Sequence, residues 1–174
     1  VCSTASEETS SQPSETCESI GFEDAIAEDL ESLLPPTWLD QVNSKVWKDK
    51  KEALTLFCAK ADVPRISGSS VLGVLPSLLK LVKSDPNVLV VTEAVKAIQI
   101  IARSVREDLA TECPQIVETL LSKFKDKKQI VSDALVECLG SLFEHVCSLA
   151  QVKDELQKAV RDRNPNICRQ TLLV

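Results

Sequence analysis

Apolar residues recur with a helical period along most of this chain. In NVLVVTEAVKAIQIIARSV, Val88, Val91, Val95, Ile98 and Ala102 step along one helix face at i, i+3, i+7, i+10 and i+14. In KKQIVSDALVECLGSLFEHV, Val131, Ala134, Leu135, Cys138 and Leu142 do the same. SSVLGVLPSLLKLV and PQIVETLLSKF read as shorter apolar helices that precede these two. VLVV alone would pass for a strand, but it lies inside a longer helical stripe. No segment alternates with period two and then closes in a hairpin turn, so the pattern predicts an all-α fold.

The helices come in pairs, and the pairs recur. Within-pair turns fall at SKVWKDKK, KSDPNV, FKDKKQI and RDRNPNI, each closing a short apolar helix and opening another. With Trp47, Asn87, Gln129 and Asn166 as markers, successive turns are 40, 42 and 37 residues apart. A helix pair repeated near forty residues is the spacing of HEAT and armadillo arrays. One amphipathic pair cannot cover its own apolar face, so pairs stack side by side into a solenoid. The chain holds about four such repeats, which predicts a solenoid truncated after the fourth. Stacking lines equivalent turns along one edge and brings four distant stretches into one row.

That row carries the candidate chemistry. It offers Trp47 with Lys45, Lys48 and Lys50, then Asn87 and Val88, then Lys125, Lys127 and Lys128, and finally Arg161, Arg163, Asn164, Pro165 and Arg169. An aromatic ring beside cations is common chemistry at protein–protein hot spots. The alternative is that Trp47 is a core residue at a helix start, that the lysines are a solvated turn, and that Asn87 and Asn164 cap helices. Pro86 and Pro165 shape their turns. Asp49, Asp85, Asp126 and Asp162 sit where they would cap backbone N–H groups. Trp38 shares a helix face with Val42 and is expected in the core.

The segment before the repeats has a different composition. Residues 1–19 are rich in Ser, Thr and Glu and nearly free of large apolar side chains, which predicts a disordered linker. Residues 20–34 carry Ile26, Leu30, Leu33 and Leu34 at helical spacing, the pattern of a short docking helix or linker. Pro35 and Pro36 then suit the first turn of a new helix, and residues 35–174 form the repeat body. The net charge of −6 divides unevenly. Residues 1–34 contain nine acids and no Lys or Arg, whereas the remaining 140 residues hold 17 acids and 20 bases, a balance of +3. A mildly basic body suits an acidic partner.

Other classes of function find little support. No apolar run reaches the ~18 residues of a membrane span, and no signal peptide opens the chain, so an intracellular protein with no membrane partner is the expectation. The chain starts at Val1 and lacks methionine, which suggests a piece of something longer. Seven cysteines with no CxxC pair, and a single histidine, His145, give no metal-ligand pattern. Cys58, Cys138, Cys147 and Cys168 fall within apolar helical patterns and are expected as reduced core thiols. Among four glycines there is no phosphate-binding loop, and no nucleophile–histidine pairing is suggested, so neither an enzyme nor a bound cofactor is expected. Nucleic-acid binding is disfavoured, because a single exposed aromatic and a charge of +3 make a poor stacking or phosphate groove.

The turn sequences resemble those of the TOG domains of microtubule polymerases, most closely the second such domain. LPPTWLDQVNSKVWKDKKEAL is similar to the opening repeat, DPNVLVVTEAVKAI to the second, LLSKFKDKKQIVSDALVECL to the third and RNPNICRQTLLV to the fourth, covering about residues 33–174. The resemblance implies a HEAT-repeat domain that grips curved αβ-tubulin through its turns. On it, Trp47 and Lys48 fall at the first-turn contact with β-tubulin and Asn87 and Val88 at the second. Lys125, Lys127 and Lys128 fall on the basic third turn, and Asn164, Pro165 and Arg169 on the fourth. The implied partners are the αβ-tubulin dimer, microtubule plus ends and other TOG domains of the same full-length chain. The implied location is the cytoplasm, on microtubules, spindle and centrosome. This chain departs from the family at Lys50, which stands where arginine is usual, and at Cys168 and Arg169, which replace a lysine–glutamine pair. It ends before the family's fifth-turn arginine. The alternative is a generic HEAT scaffold or adaptor that takes a peptide or protein on its concave face through residues such as Glu93 and Lys96.

Overall fold

The computed structural model describes residues 22–173; the linker expected over residues 1–19 lies outside them. Among the described residues the only regular structure is helical, with one isolated bridge between Glu28 and Ile66. Four helix pairs follow one another: α2 (Trp38–Val42) with α3 (Trp47–Ala61), α5 (Leu75–Ser84) with α6 (Val88–Val105), α7 (Cys113–Lys123) with α8 (Gln129–His145), and α9 (Lys153–Val160) with α10 (Pro165–Thr171). A short α1 (Leu30–Leu33) precedes them, α4 (Gly68–Leu72) joins the first pair to the second, and a 3₁₀ turn (Arg106–Leu109) joins the second to the third. The sequence expectation of an all-α, HEAT-type solenoid is met.

The pairs stack in two layers. α3, α6 and α8 pack in one row, and α5, α7 and α9 in the other. The stacking is parallel, and cross-helix contacts show it. Lys50 near the start of α3 meets Asp85 just before α6, Cys58 lies over the Glu93 carbonyl, and the Ser104 hydroxyl donates to the Val63 carbonyl at the far end. Gln99 of α6 reaches Ser141 of α8 at matching depth. The finishing ends of the same helices converge too, since Arg65, Arg106 and His145 line one pocket. Three helices of similar length that end together also begin together.

Two-sided packing explains α6. The sequence shows one apolar face, yet Val90, Ala94, Ala97 and Ile101 are buried along with Val91, Val95, Ile98 and Ala102. A helix held between two row neighbours and its own pair partner must be apolar on most of its surface. In α8, Val131, Ala134, Leu135, Cys138 and Leu142 are all buried, as their spacing predicts. Trp38 is 1% exposed, donates from Nε1 to the Ala53 carbonyl at 2.8 Å and lies against the Phe57 ring, so it is core as expected.

Three local expectations are corrected. SSVLGVLPSLLKLV is not one helix but two, broken at Gly73 and Val74. Pro76, with no N–H to donate, occupies the second position of α5, where none is needed. Among the described residues of the segment before the repeats, helix forms only at Leu30–Leu33. Leu30 is buried, but Ile26 stands 89% exposed, and Glu28 exchanges backbone bonds with Arg65 and Ser67. Phe22 lies under the guanidinium groups of Arg65 and Arg106, at 5.1 and 4.0 Å from its ring centre. The third correction concerns Cys147, expected as a reduced thiol. It is paired in a disulfide with Cys113, because the start of α7 and the turn after α8 face each other with Cα atoms 6.7 Å apart. Cys58, Cys138 and Cys168 are free thiols, of which Cys138 is fully enclosed.

Candidate protein-binding ridge

The starts of α3, α6 and α8 form the edge to which the sequence assigns function. Each start is built by local chemistry. Asn87 is the N-cap of α6, and its side-chain oxygen accepts from the Leu89 N–H at 2.9 Å. Asp85 supports that cap by accepting from the Asn87 N–H at 2.8 Å. The same arrangement recurs at α10, where Asp162 accepts from the Asn164 N–H and Asn164 accepts from the Asn166 N–H. The capping role expected of Asp85 and Asp162 is therefore observed. Asp49 and Asp126 act differently: Asp49 accepts from the Ser44 hydroxyl at 2.9 Å, and Asp126 pairs with Lys123 at 3.0 Å. All four carboxylates thus have partners within the domain.

The lysines of the edge divide into two kinds. Lys50 turns inward and meets Asp85 at 2.7 Å, with side-chain exposures of 18% and 3%. Its charge is spent inside the domain, binding the first turn to the second. Lys45, Lys48, Lys125, Lys127 and Lys128 are exposed and form no ion pair within the described residues. Trp47, the first residue of α3, is 42% exposed. A tryptophan left half in water beside free cations is uncommon unless something covers it, since burying such a ring stabilises at roughly 25 cal/mol per Å². An open groove runs from Trp47 along Lys48, Lys51, Glu52 and Thr55 on the outer side of α3, with Pro35 and Gln41 opposite.

The structure sorts the other sequence candidates. Trp47, Lys48, Asn87, Lys125, Lys127 and Lys128 all fall on the edge where α3, α6 and α8 begin. Val88 belongs to the same turn but is half-buried and packs on the core. Asn164 and Pro165 sit at the start of α10 and Arg169 in its last turn, on a helix whose main neighbours are α9 and α7. The fourth turn is therefore not joined to the row through a long α8–α10 seam as the second and third are through α6–α8. Sequence reasoning missed Val46, Leu89 and Ile130, which are 50, 43 and 55% exposed on the ridge. Their apolar character merged with the helical stripes behind them; only their place in the first turn of each helix signals outward projection. Among the described residues there is no cluster of metal-ligating side chains, and no helix is long and apolar enough to cross a membrane.

The arrangement defines a class: a stacked helix-pair solenoid with within-pair turns exposed along one edge. No family model matches the chain. Its sequence is 27% identical over 146 residues, 83% of this chain, to Protein mini spindles of Drosophila melanogaster. The chain spans only 7% of that relative's length. A structure solved for microtubule plus-end tracking by XMAP215, CLIP-170 and EB1 superposes with a TM-score of 0.80 at 26% identity, over 84% of this chain and 61% of the other. One solved for tubulin recruitment by microtubule polymerases with Tumor Overexpressed Gene (TOG) domain arrays superposes at 0.79 and 21% identity, over 87 and 32%. In sequence the chain is thus similar to Protein mini spindles, and its fold matches that of solved structures that include a TOG domain array.

Proposed function

We propose that this domain binds the αβ-tubulin dimer through the edge where α3, α6 and α8 begin, without catalysing a reaction. The observation that carries the reading is Trp47: 42% exposed at the head of α3, in line with the free lysines of the third turn. The indole supplies apolar contact area, and Lys45, Lys48, Lys125, Lys127 and Lys128 face acidic surface on the dimer. Such charges speed encounter and make it fall with salt. The rigid row set by the Lys50–Asp85 pair fits one relative angle of the two tubulin subunits, which favours their curved, unpolymerised form. Linked to other TOG domains in a longer chain, the domain raises the local tubulin concentration at a microtubule plus end and promotes growth. The place of action is the cytoskeleton, on microtubules, spindle and centrosome; the name of the Drosophila relative points to the spindle for that protein.

Titration with free αβ-tubulin tests this. The chain binds, and Trp47→Ala, with helicity unchanged, weakens binding at least tenfold; equal binding by the two forms contradicts the proposal.

A further inference from the structure

Resting on the tubulin reading, we infer that Leu89 and Ile130 extend the Trp47 contact into an apolar stripe that crosses the first three repeats. The two residues occupy the same register. Asn87 caps α6 and Lys128 precedes α8, so Leu89 and Ile130 are each the second residue of their helix. Their exposures are 43 and 55%, although the residues that follow them, Val90 and Val131, are buried at 0 and 2%. In the first repeat the exposed apolar residues come one or two positions earlier, with Val46 as the N-cap and Trp47 as the first residue of α3, at 50 and 42%.

Helix geometry explains the projection. Cα–Cβ bonds tilt toward a helix's N-terminus, so side chains of the first turn reach past the end of the helix. α3, α6 and α8 lie side by side, and packed helices are about 8–10 Å apart. Val46 with Trp47, Leu89 and Ile130 therefore stand in one file about 20 Å long. Exposed apolar residues scattered singly are ordinary. Here three successive repeats place one at the same edge, in each case beside a capping group or a free lysine.

The surroundings specify the occupant. Lys45 and Lys48 flank the stripe at one end, and Lys125, Lys127 and Lys128 at the other. The turn acids Asp49, Asp85 and Asp126 are occupied internally by Ser44, Lys50, Lys123 and a backbone N–H group. The stripe is thus an apolar file inside a cationic border. It matches an apolar strip bordered by carboxylates, continuous with the surface that takes Trp47. A dry centre within a charged rim is the usual division of a protein interface, and the centre holds most of the binding energy. The stripe also gives the second and third turns a role that does not depend on charge.

Leu89→Ser, Ile130→Ser and the double variant test the inference against purified αβ-tubulin, at low and moderate salt. Each single change lowers affinity about three- to tenfold, and the double change lowers it more. The loss is similar at both salts, whereas the loss caused by Lys127→Ala shrinks as salt rises. Leu89→Met and Ile130→Leu restore binding, and circular dichroism of all variants matches the parent. If the parent binds and Trp47→Ala weakens it while the serine variants bind normally, the stripe is wrong and the tubulin reading stands. If the parent does not bind tubulin, the underlying reading fails with it. Losses that vanish at moderate salt would also overturn the stripe, because they would show charge rather than apolar contact at work.

Discussion

Lys50 Nζ lies 2.7 Å from Asp85 Oδ2 across the boundary between the first and second helix pairs. Asp85 in turn accepts from the Asn87 N–H, which positions the cap of α6. One carboxylate thus fixes both the spacing of two turns and the start of the helix that follows. Its side chain is only 3% exposed, so a lone charge there would be poorly solvated. Lys50→Ala leaves that charge buried, and loss of one partner of a buried pair costs about 3–5 kcal/mol. Urea unfolding should show a loss of that order for Lys50→Ala and a smaller one for Lys50→Arg. The double change Lys50→Met with Asp85→Leu should lose less stability than Lys50→Ala, since it removes both charges together.

The two tryptophans should report opposite environments. Trp38 is enclosed and hydrogen-bonded, and Trp47 is half in water. In Trp47→Phe protein, emission is blue-shifted and resists acrylamide quenching. In Trp38→Phe protein, the remaining emission is red-shifted and readily quenched. Similar quenching of the two would contradict the structure.

The helix caps carry a measurable share of stability. Asn87→Ala removes the acceptor for the Leu89 N–H and should cost about 1 kcal/mol in denaturant unfolding. Asn87→Ser or Asn87→Asp, which keep an oxygen there, should cost little. Asn164→Ala at α10 should behave in the same way, having the same bond to Asn166.

Cys58 gives the domain a response to alkaline pH. Burial first, and the charge of Glu93 second, push its thiol from the ordinary 9.0 up to about 11. Between those values the folded chain keeps a proton that the unfolded chain releases. The unfolded state then binds fewer protons, so stability falls as pH rises. The stabilisation is complete below about pH 9 and lost as pH passes about 11. Melting temperatures from pH 8 to 11, compared between the parent and Cys58→Ser, isolate this component. The margin of the parent over the variant should narrow across that window. Cys138 shifts in the same direction through burial in the core.

The helix pairs were legible in the sequence because period and turn chemistry agree. Asn87 and Asn164 cap the helices that the apolar stripes of Val88–Ala102 and Ile167 predict. The separation of Trp38 from Trp47 was legible for a similar reason: one shares a face with Val42 and the other opens a lysine-rich turn. What escaped was information that exists only between repeats. Lys50 reads as one more exposed lysine until Asp85 is seen opposite it. Cys113 and Cys147 are 34 residues apart, and nothing local pairs them. Val88 and Leu89 are adjacent and both apolar; which of them faces outward depends on how α6 is rotated between α3 and α8.

Hydrogen–deuterium exchange with and without αβ-tubulin tests the central claim most directly. The account predicts protection in peptides spanning 44–52, 85–91 and 124–131, the three turns at one edge. Segment 93–103 of α6 should exchange alike in both states. Protection concentrated around Glu93 and Lys96, with the three turns unchanged, would contradict the account and favour a scaffold that binds its partner along the helix faces.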